Sequence, residues 1–301
     1  MVMLAKNFDP KKHLLSNYFA SEKFDGMRAL WDGGITRGLP IDKKKFRGKY
    51  STGLWSRDQK VIHAPEWWLD QLPDYPLDGE LWIDRGCFEE VSGLARRISD
   101  PEENTDNTYD KKDKWNKIKY LVFDIPHFEI LGRKVGYARD FKYNYNKLQE
   151  KDWNPLIYPI IQEELEDEDH LEWFLDSVIE LGGEGAMLRH KDKLWVPRRC
   201  DHILKVKPKF DAEGVVVNWQ PGKGRLEGMM GALIIRVNRA DLYEGSYEWV
   251  DVKISGFTDA EREIENGWPK FFPKETKVTF QYNGFTNTGY PREARYLRIR
   301  N

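Results

Sequence analysis

Residues 19–32 read FASEKFDGMRALWD, two strand-like runs divided by Asp25-Gly26. Each run has the length and apolar content of a short strand, and Asp-Gly is a turn dipeptide. Taken alone, the stretch is a hairpin that exposes Lys23 and Arg28 beside its turn. Further strand patterns follow at LDGELWI (77–83), IKYLVFD (118–124), LIYPIIQ (156–162) and GAMLRH (185–190), with a helix over 138–150 between two of them. Strands and helices do not alternate regularly, so the pattern predicts a mixed α+β chain with antiparallel sheet and excludes a doubly wound parallel fold.

Composition narrows the class. The 301 residues suit one large domain or two ordinary ones. With 40% hydrophobic and 14% aromatic residues, the chain can bury a sizeable core and is not disordered. A net charge of −2 excludes a polycationic nucleic-acid coat but leaves room for a local basic groove. Cys87 and Cys200 lie far apart, which argues against a disulfide framework or a cysteine zinc site. No apolar run reaches the ~18 residues of a membrane span. The first residues lack the apolar core of a signal peptide. A soluble, cytoplasmic protein without membrane contact is expected.

Two polar stretches read as surface. Residues 100–113 (DPEENTDNTYDKKD) predict a loop. The acidic run at 163–172 predicts a solvated helix start, complementary to the helix dipole. It leads to a helix whose Leu171, Phe174, Leu175, Val178 and Ile179 share a face, ended by Gly182 and Gly183.

The pattern changes after Pro208. Strands are expected at 214–220, 231–237 and 248–255, then a short helical piece at 259–266, then strands at 277–283 and 295–300. Five strands with a helix between the third and fourth predict a small Greek-key barrel of the OB type. The expected division is therefore 1–208 and 209–301. The second part is nearly neutral, but its last strand gathers Arg292, Arg295, Arg298 and Arg300.

Lys23 stands in K-x-D-G, a weak signal by itself. The rest of the chain supplies what a lysine nucleophile would need. LDGELW carries Glu80, and GGEGAMLR carries Glu184: two carboxylates for a metal. YLVFDIP carries Phe123, an aromatic ring for a base. LKVKPK carries Lys205 and Lys207, two cations on one strand face for a triphosphate. Each alone has an ordinary reading as surface charge or core ring; as an ordered set they form the inventory of one reaction. No P-loop, dinucleotide fingerprint, nucleophile elbow or histidine metal spacing competes with it.

This ordered set resembles the ATP-dependent DNA ligases within the covalent nucleotidyltransferases, most closely the minimal two-domain enzymes of bacteria (ligase E) and of viruses and phages. KFDGMR looks like the family's first motif, LDGEL the third, VFD its aromatic-bearing partner, EGAMLR the fourth and LKVKPK the fifth. The likeness runs over about residues 3–300. It implies an adenylation (nucleotidyltransferase) domain followed by a C-terminal OB-fold barrel. It implies a reaction in which Lys23 takes AMP from ATP and passes it to a 5′-phosphate, and a 3′-hydroxyl then seals the nick. Glu22, Arg28, Phe123, Glu184, Lys205 and Lys207 would contact ATP. Glu80 and Glu184 would hold Mg²⁺ or Mn²⁺, with Glu80 also near the ribose. The partner would be nicked duplex DNA, bound by a monomer without an obligate protein partner.

The family places an active-site arginine after its first motif, and two candidates compete. Thr36-Arg37 is one; Ser56-Arg57, leading to Ile62-His63-Ala64-Pro65, is the other and keeps the downstream spacing. Choosing Arg57 makes residues 34–52 an added segment. Its Lys43, Lys44, Lys45, Arg47 and Lys49 then read as a solvated loop or as a DNA-backbone contact. Further DNA or pyrophosphate contacts fall on Lys223, Arg225, Arg292 and Arg298. Ligases of type E carry a secretion signal; its absence here argues for the cytoplasm and leaves a phage origin open. RNA ligase or mRNA-capping activity is an alternative, and the absence of R-x-D-K near the C-terminus disfavours the capping branch. A non-catalytic nucleic-acid-binding protein that keeps the fold is another, disfavoured by the intact set of reactive side chains.

Overall fold

The computed structural model describes residues 2–97, 114–242, 248–286 and 289–300. The loop expected at 100–113 lies outside the described residues. The chain divides into two compact units, Met1–Val206 and Lys207–Asn301.

In chain order, the first unit contains β1 (Leu4–Asn7), β2 (Tyr18–Glu22), β3 (Met27–Asp32), α1 (Lys43–Phe46), β4 (Leu54–Ser56), α2 (Glu66–Leu69), β5 (Pro76–Trp82) and α3 (Phe88–Ala95). Then come β6 (Lys119–Asp124), β7 (Phe128–Ile130), β8 (Arg133–Val135), α4 (Phe141–Gln149), β9 (Ile157–Pro159), β10 (Glu163–Glu164), α5 (Glu168–Glu180), β11 (Ala186–His190) and β12 (Arg199–Val206). The strands form two five-stranded sheets, β1-β12-β11-β2-β10 and β4-β3-β5-β6-β9, and a two-stranded β7-β8 ribbon. Most neighbours are antiparallel; β1–β12 and β6–β9 are parallel. The unit is α+β, as expected.

The hairpin expected at 19–32 does not form. β2 pairs with β10 and β11, whereas β3 pairs with β4 and β5. Residues 23–26 are a crossover between two sheets. Gly26 permits it by close approach: a Cβ there would come within 2.7 Å of Glu80 Cγ and closer still to the Leu81 carbonyl oxygen.

Alternation divides the strand faces. In the second sheet, Ala29, Trp31, Leu77, Leu81 and Val122 pack against Trp68 and Leu69 of α2 and Val91, Leu94 and Ala95 of α3. The opposite face carries Arg28 and Glu80. In the first sheet, Ala20, Leu188 and Leu204 pack against Leu171 of α5. Its other face carries Ser21, Met187, Arg189 and Lys205. Helix α4 begins at an Asp140 cap that accepts from Tyr143 N at 2.8 Å, shorter than the helix expected over 138–150.

Residues 34–52 are not a free solvated loop. Thr36, Phe46 and Ser51 are buried. Thr36 Oγ1 lies 2.7 Å from Ser51 Oγ, and Asp32 accepts from Thr36 and from Trp55 Nε1. Lys43, Lys44, Lys45, Arg47 and Lys49 are exposed on this anchored excursion.

The second unit holds β13 (Phe210–Pro221), β14 (Met230–Asn238), β15 (Trp249–Ile254), β16 (Ile264–Glu265), β17 (Trp268–Pro269), β18 (Lys277–Tyr282) and β19 (Arg295–Ile299). Its five-stranded sheet runs β15-β14-β13-β18-β19. A parallel bridge between Ser255 and Arg295 brings the two edges together, with Tyr296 N donating to Ser255 O at 2.7 Å. The sheet is therefore a closed OB-type barrel around Val216, Leu233, Ile235, Ile254, Phe272, Val278 and Phe280.

The helical piece expected at 259–266 is mostly absent. One 3-10 turn, Ala260–Arg262, precedes the β16–β17 hairpin. Asn266 and Gly267 take φ of 52° and 76°, a turn for which Asn-Gly is the usual pair. The buried Arg262 donates to the Met230 and Gly231 carbonyls at 2.7 and 2.9 Å, which draws the segment out of a helix.

Candidate active site

The crossover sets Lys23 between the polar faces of the two sheets of the first unit. A cavity of about 310 Å³ lies there. One sheet contributes Ser21, Met187, Arg189 and Lys205 to its wall; the other contributes Arg28, Glu80 and Phe123. Lys23, Glu22, Arg57 and Arg199 complete the polar lining.

Lys23 is tied at both ends. Its backbone N–H donates to Gly185 O at 2.8 Å, and its Nζ donates to Glu184 Oε2. The side chains are only 24% and 19% exposed, so the ion pair is shielded from bulk water. The sequence grouped Lys23 with neighbouring cations; its direct ion-pair partner is a carboxylate. Glu80 retains some surface in the cavity but sits deep. Burial raises its pKa to about 7, opposed by Arg28 and Lys23 and reinforced by Asp78 and Glu184.

Arg28 makes two 2.6 Å hydrogen bonds to Asp78, whose Oδ2 also accepts from Trp195 Nε1 at 2.7 Å. Burial works against the Arg28 charge, but Asp78 outweighs it and the pKa rises. Glu22 is engaged by Arg85, with Arg85 Nη2 to Oε2 at 3.1 Å. Gly79 is required by packing: a Cβ there would meet the Tyr120 ring at 2.6 Å.

Phe123 owes its place to a bulge. Asp78 pairs with Asp124 and Gly79 with Val122, which leaves Phe123 without a cross-strand partner. The ring is 8% exposed, and guanidinium carbons of Arg28 and Arg189 lie 4.5 and 4.2 Å from its centroid.

The two arginine candidates separate. Arg57 lines the cavity. Arg37 bonds instead to Glu66 and to Asp70 Oδ1, the latter at 2.7 Å, and is not part of the cavity lining.

Lys205 reaches the cavity wall, while Lys207 belongs to the second unit, its Nζ 3.9 Å from Glu293 Oε1. Also in the second unit, Lys223 and Arg298 are exposed, Arg292 is half-buried, and Arg225 pairs with Asp259 at 2.8 Å. Among the described residues, no group of three or more His, Cys, Asp or Glu side chains could hold a metal ion. No described helix is long and apolar enough to cross a membrane.

Comparison with known proteins shows the family. Residues 221–300 match the DNA ligase OB-like domain family. A DNA ligase of Haemophilus influenzae is 28% identical over 289 residues, covering 94% of this chain and 87% of the relative. A solved structure from a study of Lig E DNA ligases superposes with a TM-score of 0.69 at 31% identity, over 99% of this chain and 98% of that one. The chain belongs to the DNA ligases of the Lig E type. A second structure, named Pmar-Lig, shares the ligase fold at 19% identity with a TM-score of 0.66, covering all of this chain and 67% of that one.

The ligase sequence carried more of its site than its motifs alone disclose. Arg189, Asp124, Asn144, Trp195 and Arg85 were not singled out. Arg189 was within reach, because it sits two residues beyond Met187 and shares its strand face. Asp78 and Asp124 were legible as charges inside apolar strands. Their pairing across a bulge was not.

Proposed function

We infer that the protein is an ATP-dependent DNA ligase that seals nicks bearing a 5′-phosphate and a 3′-hydroxyl in duplex DNA. The observation that carries this reading is Lys23 in the wall of a cavity that also presents Glu80, Arg28, Phe123 and Lys205. Lys23 Nζ attacks the α-phosphorus of ATP, pyrophosphate departs, and a lysyl-AMP phosphoramidate remains. The AMP passes to the DNA 5′-phosphate, and the 3′-hydroxyl then displaces it.

The ion pair with Glu184 must open before attack, and Glu184 Oε2 is the acceptor placed to receive a proton from Nζ. Arg28, Arg57 and Lys205 offset phosphate charge. Phe123 forms the platform for adenine, and Glu22 supports the segment leading to Lys23. Glu80 and Glu184 would hold Mg²⁺ or Mn²⁺. Their charges interact, and one or two carboxylates suffice for an ion that keeps several waters and binds phosphate oxygens. Such an ion would neutralise charge on the phosphates. The exposed cations at 43–49 and Lys223 would contact the DNA backbone. The reading includes action as a cytoplasmic monomer without an obligate protein partner.

Incubation with α-labelled ATP, GTP or NAD, followed by a chase with nicked duplex, tests the proposal. Label should enter the protein from ATP alone, pass to DNA and leave as AMP on sealing. Label from GTP would turn the reading to a capping enzyme, and no label would leave only a DNA-binding protein.

A further inference from the structure

We propose that Arg189 is a positioning residue for the nucleotide base, acting through the ring of Phe123; this rests on the reading of Phe123 as the base platform. Arg189 is buried in strand β11, with a side chain only 3% exposed. Its Nε and Nη1 have no hydrogen-bond partner. The nearest anion, Asp124 Oδ2, lies 3.6 Å from Nη1, beyond hydrogen-bond reach. Asp124 Oδ1 already accepts from Asn144 Nδ2 at 2.9 Å and from Ile125 N at 2.8 Å.

A buried ion pair with no hydrogen bond between its partners contributes little to stability, and an apolar side chain of similar size often serves as well or better. The other contacts of the guanidinium are aromatic: its carbon lies 4.2 Å from the Phe123 centroid and 5.5 Å from that of Phe141. Phe123 needs such a partner. As the bulged residue, it has no cross-strand neighbour on β5 to hold its ring. On the other guanidinium in contact, Arg28, the ring shares a group already committed to Asp78. Arg189 thus fixes the orientation of the Phe123 ring, and affinity for ATP depends on that orientation.

The test is single-turnover labelling of Lys23 across ATP concentrations in R189M, R189K, F123A and the F123A/R189M double variant. R189M should raise the half-saturating ATP concentration about tenfold and leave the maximal rate within about twofold. R189K should fall between R189M and the parent, because an ammonium lacks the planar stack. In the F123A background, R189M should add nothing. Unchanged half-saturation in R189M, or an equal shift with and without the Phe123 ring, would overturn the proposal. If R189M does not fold, an R189K indistinguishable from the parent overturns it equally. The two readings fail separately. F123A with unchanged half-saturation removes the platform itself, whereas a shifted F123A beside an unshifted R189M removes only the positioning role.

Discussion

Lys23 Nζ donates to Glu184 Oε2, and the Lys23 backbone N–H donates to the carbonyl of the next residue, Gly185, at 2.8 Å. Strand β2 and the segment leading into β11 therefore hold the Lys23 and Glu184 side chains together. If Lys23 carries AMP, Lys23→Ala should abolish labelling of the protein by ATP. It should still seal a nick that already bears 5′-AMP, since that step needs no nucleophile. A protein–AMP adduct in the mutant, stable to denaturation, would exclude Lys23.

Arg57 and Arg37 should behave differently. Arg57→Ala is expected to slow labelling at least about tenfold, by removing one charged contact to phosphate. Arg37→Ala should leave labelling within about twofold and shift stability by no more than about 1 kcal/mol, as expected of an ion pair with exposed carboxylates. Rates and urea midpoints of the two variants decide the matter. The reverse ranking would return Arg37 to the ATP site.

Gly26→Ala forces a methyl group into Glu80 Cγ and the Leu81 carbonyl. Labelling should be lost while the second unit still unfolds normally. Gly79→Ala drives its methyl into the Tyr120 ring and should destabilise the first unit by about 1–3 kcal/mol. Thermal melts followed with labelling assays check both. A wild-type Gly26→Ala enzyme would mean that Glu80 need not stay where it is.

Glu80 should impose a pH dependence on stability. Its folded pKa is raised to about 7 from an ordinary 4.5. The folded state therefore holds this proton more tightly than the unfolded chain. Stability associated with the group is intact below the unfolded pKa and is lost as pH rises from about 4.5 through 7. Glu80→Gln lacks the ionisation, so it should gain on the parent by about 2 kcal/mol between pH 5 and 8 in the absence of ligands. A difference between the two proteins that stays constant with pH would show that Glu80 does not titrate in this range.

Lys43, Lys44, Lys45, Arg47 and Lys49 lie exposed on an excursion fastened by buried Phe46, Thr36 and Ser51. Replacing all five by neutral residues should weaken binding to nicked duplex and flatten the log–log salt dependence by roughly two or more. Labelling of Lys23 should be nearly unchanged. An unaltered slope would assign these residues to solvent alone.

Much of this molecule is legible in one dimension. Strand periodicity located β3, β5, β6, β11 and the five barrel strands, because alternation of apolar and polar residues reports a local property. The ordered set Lys23, Glu80, Phe123, Glu184 and Lys205 was visible for a different reason: an amine, two carboxylates, an aromatic ring and a cation together make the inventory of one reaction, whatever the strand pairing. The Asn266-Gly267 turn was legible too, yet the charged run DAEREIEN obscured it. A helix was expected where Arg262 is drawn inward by two carbonyls.

Sequence by itself determined which groups are available for the chemistry and on which strands they lie. Tertiary structure decided how they meet. It split residues 19–32 between two sheets, so Asp25-Gly26 became a crossover and Lys23 came to face Glu80 across a cavity. It paired Asp78 with Asp124 across a bulge, turned Phe123 toward two guanidinium groups, and put Arg57 but not Arg37 in the cavity wall. The physical reason is that pairing partners and desolvation are non-local. A strand's own residues fix which side chains share a face, but only packing against distant strands fixes what that face meets and how much water it loses.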